Sequence, residues 1–283
     1  MGCMAALGTG HAPAADPETA FADLETRSGG RLGVTCIDLE TSRTLVHRAD
    51  ERFAMCSTFK LPLVAAVLAK VDRGGESLGR LVPYTPNDLL DYAPATRQHV
   101  TQGAMTVEAL CAAAITLSDN TAANLLLATV GGPPAVTQFA RDLGDGVTRL
   151  DRNEPALNSG LPGDPRDTTS PRAMAQDLQK LIAGNALSAS SAAKLTRWLI
   201  DCQTGTTCLR AGLPSRWRVG DKTGTGGPIN AKGDSTIRND VAVIWPPGKK
   251  PLIVAAYLSH SQLAATDRDA ILAQVARVIA EWT

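Results

Sequence analysis

The chain has 283 residues, enough to bury a large core as one domain or as two lobes. Its 28 basic and 28 acidic residues give a formal net charge of zero, and no basic stripe is present, so nucleic acid is not an expected partner. The apolar runs fall well short of the ~20 residues that a membrane span needs. None of the four histidines forms an i, i+4 pair beside a glutamate, which argues against a zinc site.

The first fifteen residues leave three interpretations open. Residues 1–15 fit the remnant of a signal peptide without its basic and apolar parts, and they fit a disordered tail equally well. The Gly2-Cys3 pair also fits a bacterial lipoprotein site, which would place an anchor at Cys3. The folded domain is therefore expected over residues 16–283.

The N-terminal part of this domain predicts a helix followed by a hairpin. Asp16-Pro17-Glu18 is typical of a helix start, and Gly29-Gly30 is typical of a helix stop. Residues 31–40 and 44–48 then have strand patterns that suit two neighbouring strands.

The remainder of the chain predicts helices first and strands afterwards. Helical patterns dominate from about residue 57 to residue 199, and a closing helix is expected over about 267–282. Strand patterns lie between them, at 216–225, 238–245 and 252–259. Because the strands arrive as adjacent hairpins, we expect an antiparallel sheet.

This order of elements predicts an α/β (α+β) fold. One lobe is an antiparallel sheet flanked by helices and built from both termini, over about 16–52 and 203–283. An all-helical lobe is inserted between these two parts, over about 53–202.

A serine and a lysine at the start of the helical region suggest a reactive hydroxyl. Ser57 and Lys60 are three positions apart, so they share one face of a helix. Ser57 would lie in the first turn, where free backbone N–H groups favour developing negative charge. Lys60 can then share or take the hydroxyl proton, which activates a weak nucleophile. Taken alone, the spacing is equally typical of a helix start with a surface lysine.

Three further motifs follow in chain order. They are Ser118-Asp119-Asn120, Glu154 with Asn158 four residues later, and Lys222-Thr223-Gly224. Each alone has a plain structural interpretation as a helix cap, a turn or a strand end. Together with the Ser-x-x-Lys motif, and in this order, they resemble the class A serine β-lactamases. The resemblance extends from about residue 21 to the C-terminus.

The resemblance implies a fold, an activity and a location. The expected fold is a sheet lobe beside an all-helical lobe, with the active site in the seam between them. The expected activity is hydrolysis of β-lactam antibiotics, both penicillins and cephalosporins, through a serine acyl-enzyme, which confers antibiotic resistance. Neither a metal nor an organic cofactor is expected. The resemblance also implies export to the periplasm, and we expect a monomer because no oligomer signature is present.

Four residues are expected to carry the chemistry by resemblance. Ser57 is the nucleophile, and Lys60 helps to activate it and relays protons. Ser118 passes a proton to the lactam nitrogen. Glu154, with Asn158, holds and activates the water that removes the acyl group. Whether Lys60 or Glu154 is the base for acylation stays open, while the glutamate is accepted for deacylation. A positioned base contributes roughly 10²–10⁴ in rate.

The other site residues are expected to bind the substrate. They are Tyr92, Asn120, Asn158, Lys222, Thr223, Gly224, Thr225 and Arg238. By resemblance, Lys222 supports Ser118 and supplies a positive field for the substrate carboxylate, which Thr223, Thr225 and Arg238 bind. The backbone N–H groups of Ser57 and Thr225 form the oxyanion site.

Two other functions share the acylation residues. One is a D-Ala-D-Ala peptidase or transpeptidase, and the other is a covalent β-lactam-sensing domain that is acylated once. The pair of Glu154 and Asn158 favours the hydrolase, because the two alternatives lack this water-activating pair.

The segment that carries Glu154 has two further expected features. Arg152 and Asp167 match the ion pair that closes the neck of this loop in the family. If it is partly buried, breaking it would cost ~3–5 kcal/mol. The Glu154-Pro155 bond is expected to be cis, as in relatives.

The six cysteines are expected to be mostly free thiols. They show no Cys-x-x-Cys metal spacing. By resemblance, Gly226 stands where some relatives with broad activity have a partner for Cys56, and Val64 stands where many relatives bridge to Cys111. Cys202 and Cys208 are near enough in sequence to pair, and the sequence leaves that pairing open.

Residues 226–238 depart from the family pattern. The hairpin beside the site is longer by several residues than is usual in relatives. It is either a tip without a role, since loops tolerate insertions, or a feature that controls the admission of bulky cephalosporin side chains. The extension also makes Lys232 a rival to Arg238 by proximity.

Overall fold

The computed structural model describes residues 16–283, and its centre is a five-stranded antiparallel sheet in the order β2-β1-β9-β8-β7. Its strands are β1 (Arg31–Asp38), β2 (Thr44–His47), β7 (Arg218–Ile229), β8 (Ser235–Trp245) and β9 (Leu252–Ser259). Two short antiparallel pairs lie outside this sheet. They are β3 (Phe53–Ala54) with β6 (Thr168–Thr169), and β4 (Leu81–Pro83) with β5 (Ala104–Thr106).

The described part of the chain also contains ten α-helices. They are α1 (Pro17–Ser28), α2 (Lys60–Asp72), α3 (Thr96–His99), α4 (Val107–Thr116), α5 (Asn120–Val130), α6 (Pro133–Asp142), α7 (Pro171–Ile182), α8 (Ala189–Ile200), α9 (Leu209–Gly212) and α10 (Ala265–Trp282). Short 3₁₀ turns lie at Cys56–Phe59, Pro86–Asp88, Val100–Gln102 and Ala156–Asn158.

Both faces of the sheet are covered, and the central strand β9 shows why. All eight of its residues are buried, and the first seven alternate between two hydrophobic cores, as the period of two in a strand requires. Leu252, Val254, Ala256 and Leu258 face the core that contains residues of α1 and α10. Ile253, Ala255 and Tyr257 face the larger core that is shared with the inserted helices.

Helix α2 is the centre of the helical part. Residues 60–69 are all buried, so this helix is surrounded by other elements and has no solvent face along most of its length. It packs against α4, α5, α6 and α8. The turn Cys56–Phe59, which precedes this helix, packs against strand β7 of the sheet. The fold therefore brings Ser57 and Lys60 to the junction between the helices and the sheet.

The predicted fold class is confirmed, because strands from both ends of the chain form one antiparallel sheet and helices lie between them in sequence. The first helix also begins and ends as predicted: Asp16 caps it through a bond from the Thr19 N–H, and Gly29 ends it with φ = 60°. Helices predominate from residue 57 to residue 199, as predicted. The short strands β4, β5 and β6 also lie within that range and were not predicted, because pairings of two or three residues leave no recognisable alternation.

The long hairpin at residues 226–238 is mostly paired strand. Strand β7 continues to Ile229 and β8 begins at Ser235, with a bulge between Gly226 and Ile229. The Asn230 side chain closes the turn by accepting bonds from the Lys232 and Asp234 N–H groups, at 2.9 and 3.0 Å. The Asp234 carboxylate in turn accepts a bond from the N–H of the first residue of α10 at 3.2 Å. The tip is therefore held against the start of α10.

Several remaining predictions concern the cysteines and the membrane. The five described cysteines, Cys36, Cys56, Cys111, Cys202 and Cys208, are buried free thiols, so Cys202 and Cys208 are not bridged. No helix within residues 16–283 is long and apolar enough to cross a bilayer. The signal-peptide, tail and Cys3 interpretations lie outside the described residues.

Candidate active site

Ser57 lies in a tight turn that the sheet holds from one side. The preceding residue, Cys56, has φ = 45°, a strained value for a residue with a side chain. Gly224 and Gly226 allow β7 to approach this turn: a Cβ on Gly224 would lie 2.7 Å from the Met55 carbonyl, and one on Gly226 would lie 2.7 Å from the Cys56 sulfur. The Asn239 side chain donates to the Met55 carbonyl at 3.1 Å and fixes the same segment to β8.

Lys60 is completely buried and is the hub of the site. Its ammonium donates to Ser57 Oγ at 2.9 Å, to Asn120 Oδ1 at 2.6 Å and to the Ser118 carbonyl at 2.7 Å. It also lies 3.1 Å from Glu154 Oε1, and both side chains of this pair are inaccessible to solvent. Burial lowers the pKa of Lys60, while the Glu154 carboxylate opposes that shift. The lysine can therefore exchange a proton with either Ser57 or Glu154.

The Ser118-Asp119-Asn120 turn places two side chains against Lys60. Ser118 has φ = 58°, and Asp119 caps helix α5 through a 2.8 Å bond from the Ala122 N–H. Asp119 also accepts a 2.8 Å bond from the Thr96 N–H, which fixes the turn to α3. Asp119 therefore acts as a helix cap, which is the structural interpretation of this motif. By capping α5, it positions the neighbouring residues Ser118 and Asn120 in the site.

Lys222 approaches Ser118 from the opposite side. It is fully buried in β7, and its ammonium donates to Ser118 Oγ at 3.0 Å and to the Thr223 carbonyl at 2.9 Å. Lys60 lies 3.3 Å from the same hydroxyl. Because both ammonium groups donate to this oxygen, its own proton is free to point away from them. Burial, with a further contribution from Lys60, lowers the pKa of Lys222 to about 8.

Glu154 is held on both its backbone and its side chain. The Asn124 amide accepts from the Glu154 N–H at 3.0 Å and donates to the Glu154 carbonyl at 2.9 Å. Asn158 Nδ2 donates to Glu154 Oε2 at 2.5 Å. Within the described residues, Glu154 Oε1 and Asn158 Oδ1 are buried without a hydrogen-bond donor, apart from the ion pair with Lys60. Both oxygens can therefore accept a hydrogen bond from a small donor molecule.

The loop that carries Glu154 is closed at its neck as predicted. Arg152 Nε lies 2.5 Å from Asp167 Oδ2, and the Asp167 side chain has no solvent exposure. Asp167 also accepts bonds from the Asp151 and Arg152 N–H groups at 2.7 and 2.9 Å. Its carbonyl accepts from the Met55 N–H at 2.9 Å, two residues before Ser57. The Glu154-Pro155 bond is cis, which was also predicted.

A cleft of about 390 Å³ opens above these groups. It is lined by Ser57, Tyr92, Ser118, Asn120, Asn158, Thr204, Thr223, Thr225 and Arg238. Lys60, Glu154 and Lys222 lie beneath these residues, so the structure brings the predicted site residues together. The rival Lys232 lies in the exposed hairpin turn and does not line this cleft.

Arg238 points along the sheet towards the cleft. It pairs with Thr225 across β7 and β8, and its guanidinium donates to Thr225 Oγ1 at 2.9 Å. Asp269, on α10, accepts from Arg238 Nε at 2.6 Å. The Thr204 hydroxyl lies 2.6 Å from that of Thr223 and adds a further polar group to this wall. Arg238 therefore reaches the cleft with part of its charge already neutralised.

Sequence analysis missed four residues that shape the site: Asn124, Thr204, Asn239 and Asp269. Asn124 had a usable signal, because it lies four residues after Asn120 and therefore on the same helix face. The others reach the site only through tertiary contacts, and nothing in their local sequence marks them. Within residues 16–283, no cluster of three or more histidine, cysteine or acidic side chains could hold a metal ion.

A buried lysine that contacts a serine hydroxyl, beside a second serine and a carboxylate, defines a serine enzyme of the acyl-transfer class. The chain belongs to the β-lactamase enzyme family, whose family model matches residues 16–283. It is 51% identical to β-lactamase L2 of Stenotrophomonas maltophilia over 92% of this chain and 84% of that protein. It is 48% identical to β-lactamase CTX-M-25 of Escherichia coli over 95% and 90% of the two chains.

The solved structures agree with the sequence comparisons. An ancestral class A β-lactamase superposes with a TM-score of 0.90 at 56% identity, over 95% of this chain and all of that one. The predicted membership of the class A enzymes is therefore confirmed.

Proposed function

We propose that this protein hydrolyses β-lactam antibiotics, penicillins and cephalosporins, through an ester on Ser57 that a water activated by Glu154 then cleaves. The observation that carries this proposal is the buried chain of contacts from Ser57 through Lys60 to Glu154 and Asn158. The kinship with enzymes named β-lactamases supports it. In a cell, the activity would confer resistance to these antibiotics.

Acylation uses the first part of this chain of contacts. Lys60 first gives a proton to Glu154, 3.1 Å away, and Ser57 Oγ then attacks the lactam carbonyl while its own proton passes to the neutral Lys60 amine, 2.9 Å away. The backbone N–H groups of Ser57 and Thr225 stabilise the oxyanion, and one such donor contributes roughly 10²–10³ in rate. Ser118, which receives bonds from two lysines, delivers its own proton to the leaving nitrogen. Lys60 then returns a proton to Ser118 and takes back its own from Glu154, so that Glu154 is ionised again before deacylation.

Deacylation uses the second part. A water that donates to Glu154 Oε1 and to Asn158 Oδ1 would satisfy both buried oxygens and would lie beside the ester on Ser57. Glu154 takes a proton from this water as it attacks the ester carbonyl. The proton returns to the Ser57 oxygen through Lys60, and the free enzyme is restored.

The opposite wall of the cleft binds the substrate carboxylate. Lys222 supplies a buried positive charge, and Arg238 supplies a second one beside Thr225. Thr223 and Thr225 contribute hydroxyl groups, and Gly224 lets the strand approach the serine turn. We assign the substrate's side-chain amide to Asn120, with Asn158 at the edge of the water site.

The mouth of the cleft is assigned to Tyr92. Its side chain lines the cleft and is 51% exposed, which suits a residue that contacts the substrate as it enters.

Continuous turnover of nitrocefin separates this function from its two alternatives. A hydrolase converts excess nitrocefin over many turnovers. A D-Ala-D-Ala peptidase or a β-lactam-sensing domain would instead give a burst of about one equivalent and then stop, because neither contains the pair of Glu154 and Asn158. Ser57→Ala is the control and should give neither a burst nor turnover. A burst that stops in the unsubstituted protein would overturn the proposal.

The setting and organisation of the enzyme are also proposals. We propose that it acts in the periplasm as a monomer and without a nucleic-acid partner. We further propose that the sheet lobe comprises residues 16–52 and 203–283 and that the helical lobe comprises residues 53–202. Size-exclusion chromatography with light scattering tests the monomer, since a dimer would double the mass of 29.6 kDa expected for this chain.

A further inference from the structure

The two ends of the loop that carries Glu154 are joined by a second set of contacts beyond its neck. The Thr148 hydroxyl, before the loop, lies 2.6 Å from the Thr169 hydroxyl, after it. Beside this contact, the Arg149 N–H donates to the Thr168 carbonyl at 3.0 Å. Helix α7 begins two residues after Thr169, so the segment that enters the loop is attached to the segment that leads into α7. These contacts form the base of the loop.

Two buried aspartates lie at this base. Asp145 is 6% exposed, and Asp177, on α7, is 2% exposed. Asp145 Oδ1 accepts bonds from the Val147 and Thr148 N–H groups, at 2.6 and 3.0 Å, and so fixes the turn that leads into the loop. The carboxyl group of Asp177 is hydrogen-bonded to that of Asp145. The pair therefore connects α7 to the segment before the loop.

The contact between the two carboxyl groups requires a proton. Ionised carboxylates are acceptors only, so two of them cannot form a hydrogen bond with each other. Within the described residues, Asp145 Oδ2 and Asp177 Oδ1 are buried and no other group donates to them. One proton held between the two acids supplies the missing donor. Because two N–H groups already donate to Asp145 and favour its ionised form, the proton belongs to Asp177.

The neighbouring cations do not replace this proton. Arg141 on α6 and Lys180 on α7 are the cations that act on Asp177. The Arg141 guanidinium donates to the Asp145 carbonyl at 2.5 Å, and the Lys180 ammonium donates to the Leu143 carbonyl. Neither cation forms an ion pair with the two acids within residues 16–283.

The other ionisable group near the pair is neutral. Tyr257, on strand β9, is close enough for both carboxyl groups to act on it, and burial raises the pKa of its hydroxyl. Burial, with a further contribution from Asp145, also raises the pKa of Asp177 to about 8. The surroundings therefore agree with the proton that the contact requires.

We propose that the proton shared by Asp145 and Asp177 is a pH-sensitive clamp at the base of the loop that carries Glu154. While the proton is present, the clamp holds α7 against the segment before the loop. Opening of the base exposes Asp177, which then ionises and releases the proton to solvent. The loop is therefore held most firmly in acid and less firmly as the pH rises.

The proton released on opening sets the size of the effect. In the opened base the pKa of Asp177 returns to about 4, so the clamp contributes fully below about pH 4. As the pH rises from there to about 8, the opening equilibrium should increase by up to about tenfold per pH unit. Above about pH 8 the folded protein has already lost the proton, and the equilibrium should level off.

Amide hydrogen exchange at residues 147–149 measures this opening, once the rates are corrected for the intrinsic effect of pH. In the unsubstituted protein, the protection of these amides should fall by at least about tenfold between pH 6 and pH 8. Asp177→Asn should show no such fall, because its amide donates a hydrogen bond at both pH values. Asp145→Asn should behave in the same way and serves as the second variant if the first does not fold. Antibiotic turnover is not measured, so the result does not depend on the proposed function.

Asp50→Asn is the matched control. Asp50 pairs with Arg172 on the same helix α7, but it is exposed, so this variant should keep the full pH dependence. Amides of strand β9 report global unfolding in the same experiment. The proposal is overturned if the corrected protection does not change with pH, or if Asp177→Asn or Asp50→Asn contradicts its expected result. It is also overturned if residues 147–149 exchange only as slowly as β9, because the opening would then be global.

Discussion

At the scale of single residues, the site depends on two lysines that share one serine. Lys60 and Lys222 both donate to Ser118 Oγ, and both are removed from solvent. Burying two like charges near one another is costly. The Glu154 carboxylate compensates the charge of Lys60, whereas burial lowers the pKa of Lys222, so that Lys222 loses its proton more easily. The protonation of Lys222 therefore changes with pH in mildly alkaline solution.

Activity should fall in mildly alkaline solution because of Lys222. Its lowered pKa of about 8 means that the side chain is charged below that pH and neutral above it. Since we propose that this charge attracts the substrate carboxylate, kcat/KM should decline as the pH rises through about 8, mainly through a higher KM. Lys222→Arg should move this decline to higher pH, because arginine stays charged. A kcat/KM that stays level to about pH 10 would contradict this assignment.

The pairing of Asp269 with Arg238 should weaken substrate binding. Asp269→Asn removes the negative charge that Arg238 Nε contacts at 2.6 Å, so more of the guanidinium's charge acts on the substrate carboxylate. We expect KM to fall about twofold to fivefold with little change in kcat, in keeping with a partly exposed ion pair. Arg238→Gln should raise KM, and adding Asp269→Asn to it should have no further effect. A lower KM in that double variant would show that Asp269 acts elsewhere.

At the scale of elements, the loop that carries Glu154 is the part that the rest of the site relies on. Its neck is the buried Arg152–Asp167 pair, and its inner end is fixed by the Asn124 amide. Through the Asp167 carbonyl it also contacts the segment before Ser57. A change at the neck should therefore reach both Glu154, the proposed water-activating residue, and Ser57, the proposed nucleophile.

Breaking the neck should cost more than breaking an exposed pair on the same loop. Arg152→Ala leaves the buried Asp167 carboxylate uncompensated, so we expect a loss of ~3–5 kcal/mol in the free energy of unfolding and a slower deacylation step. Arg166→Ala removes the partner of Asp164 at a half-exposed position and should cost at most ~1 kcal/mol. Urea unfolding measures both. Equal losses of unfolding free energy in the two variants would contradict the larger contribution that we assign to the buried neck pair.

The elements also show how far sequence reasoning could reach. The motifs at Ser57, Ser118, Glu154 and Lys222 are short sequence patterns, and each could be recognised without knowledge of the fold. The roles of Asn239 and Asp269 could not be recognised in this way. Asn239 acts because strand β8 packs beside the serine turn, and Asp269 acts because helix α10 lies beside Arg238. The hairpin at 226–238 was predicted to be longer than usual, but its bulge and its contact with α10 depend on pairing that composition does not specify.

At the scale of the whole molecule, a pair of acidic side chains outside the site should set part of the pH dependence of stability. Asp177 on α7 is buried, and burial together with the nearby Asp145 raises its pKa to about 8. Asp145 Oδ1 is occupied by the Val147 and Thr148 N–H groups, at 2.6 and 3.0 Å. Asp177 is therefore protonated in the folded protein at neutral pH, although an exposed aspartate would be ionised.

The sign of this effect follows from the direction of the shift. Because the pKa of Asp177 is higher in the folded state than in the unfolded state, its contribution is fully present below about pH 4 and is lost as the pH rises through about 8. Asp177→Asn, which stays neutral, should raise the Tm at pH 8 and have a smaller effect at pH 5. Calorimetry at pH 5 and at pH 8 measures these changes in Tm. An equal change in Tm at both pH values would contradict the raised pKa of Asp177 that its burial beside Asp145 produces.

The most direct test of the account is intact-protein mass spectrometry of Glu154→Gln mixed with penicillin. This substitution keeps the shape of the side chain and removes its ability to take a proton from water. The account predicts that the variant retains one covalently bound penicillin on Ser57 for much longer than the unsubstituted enzyme, and that Ser57→Ala retains none. Turnover by Glu154→Gln at the unsubstituted rate, or a persistent adduct on Ser57→Ala, would contradict it.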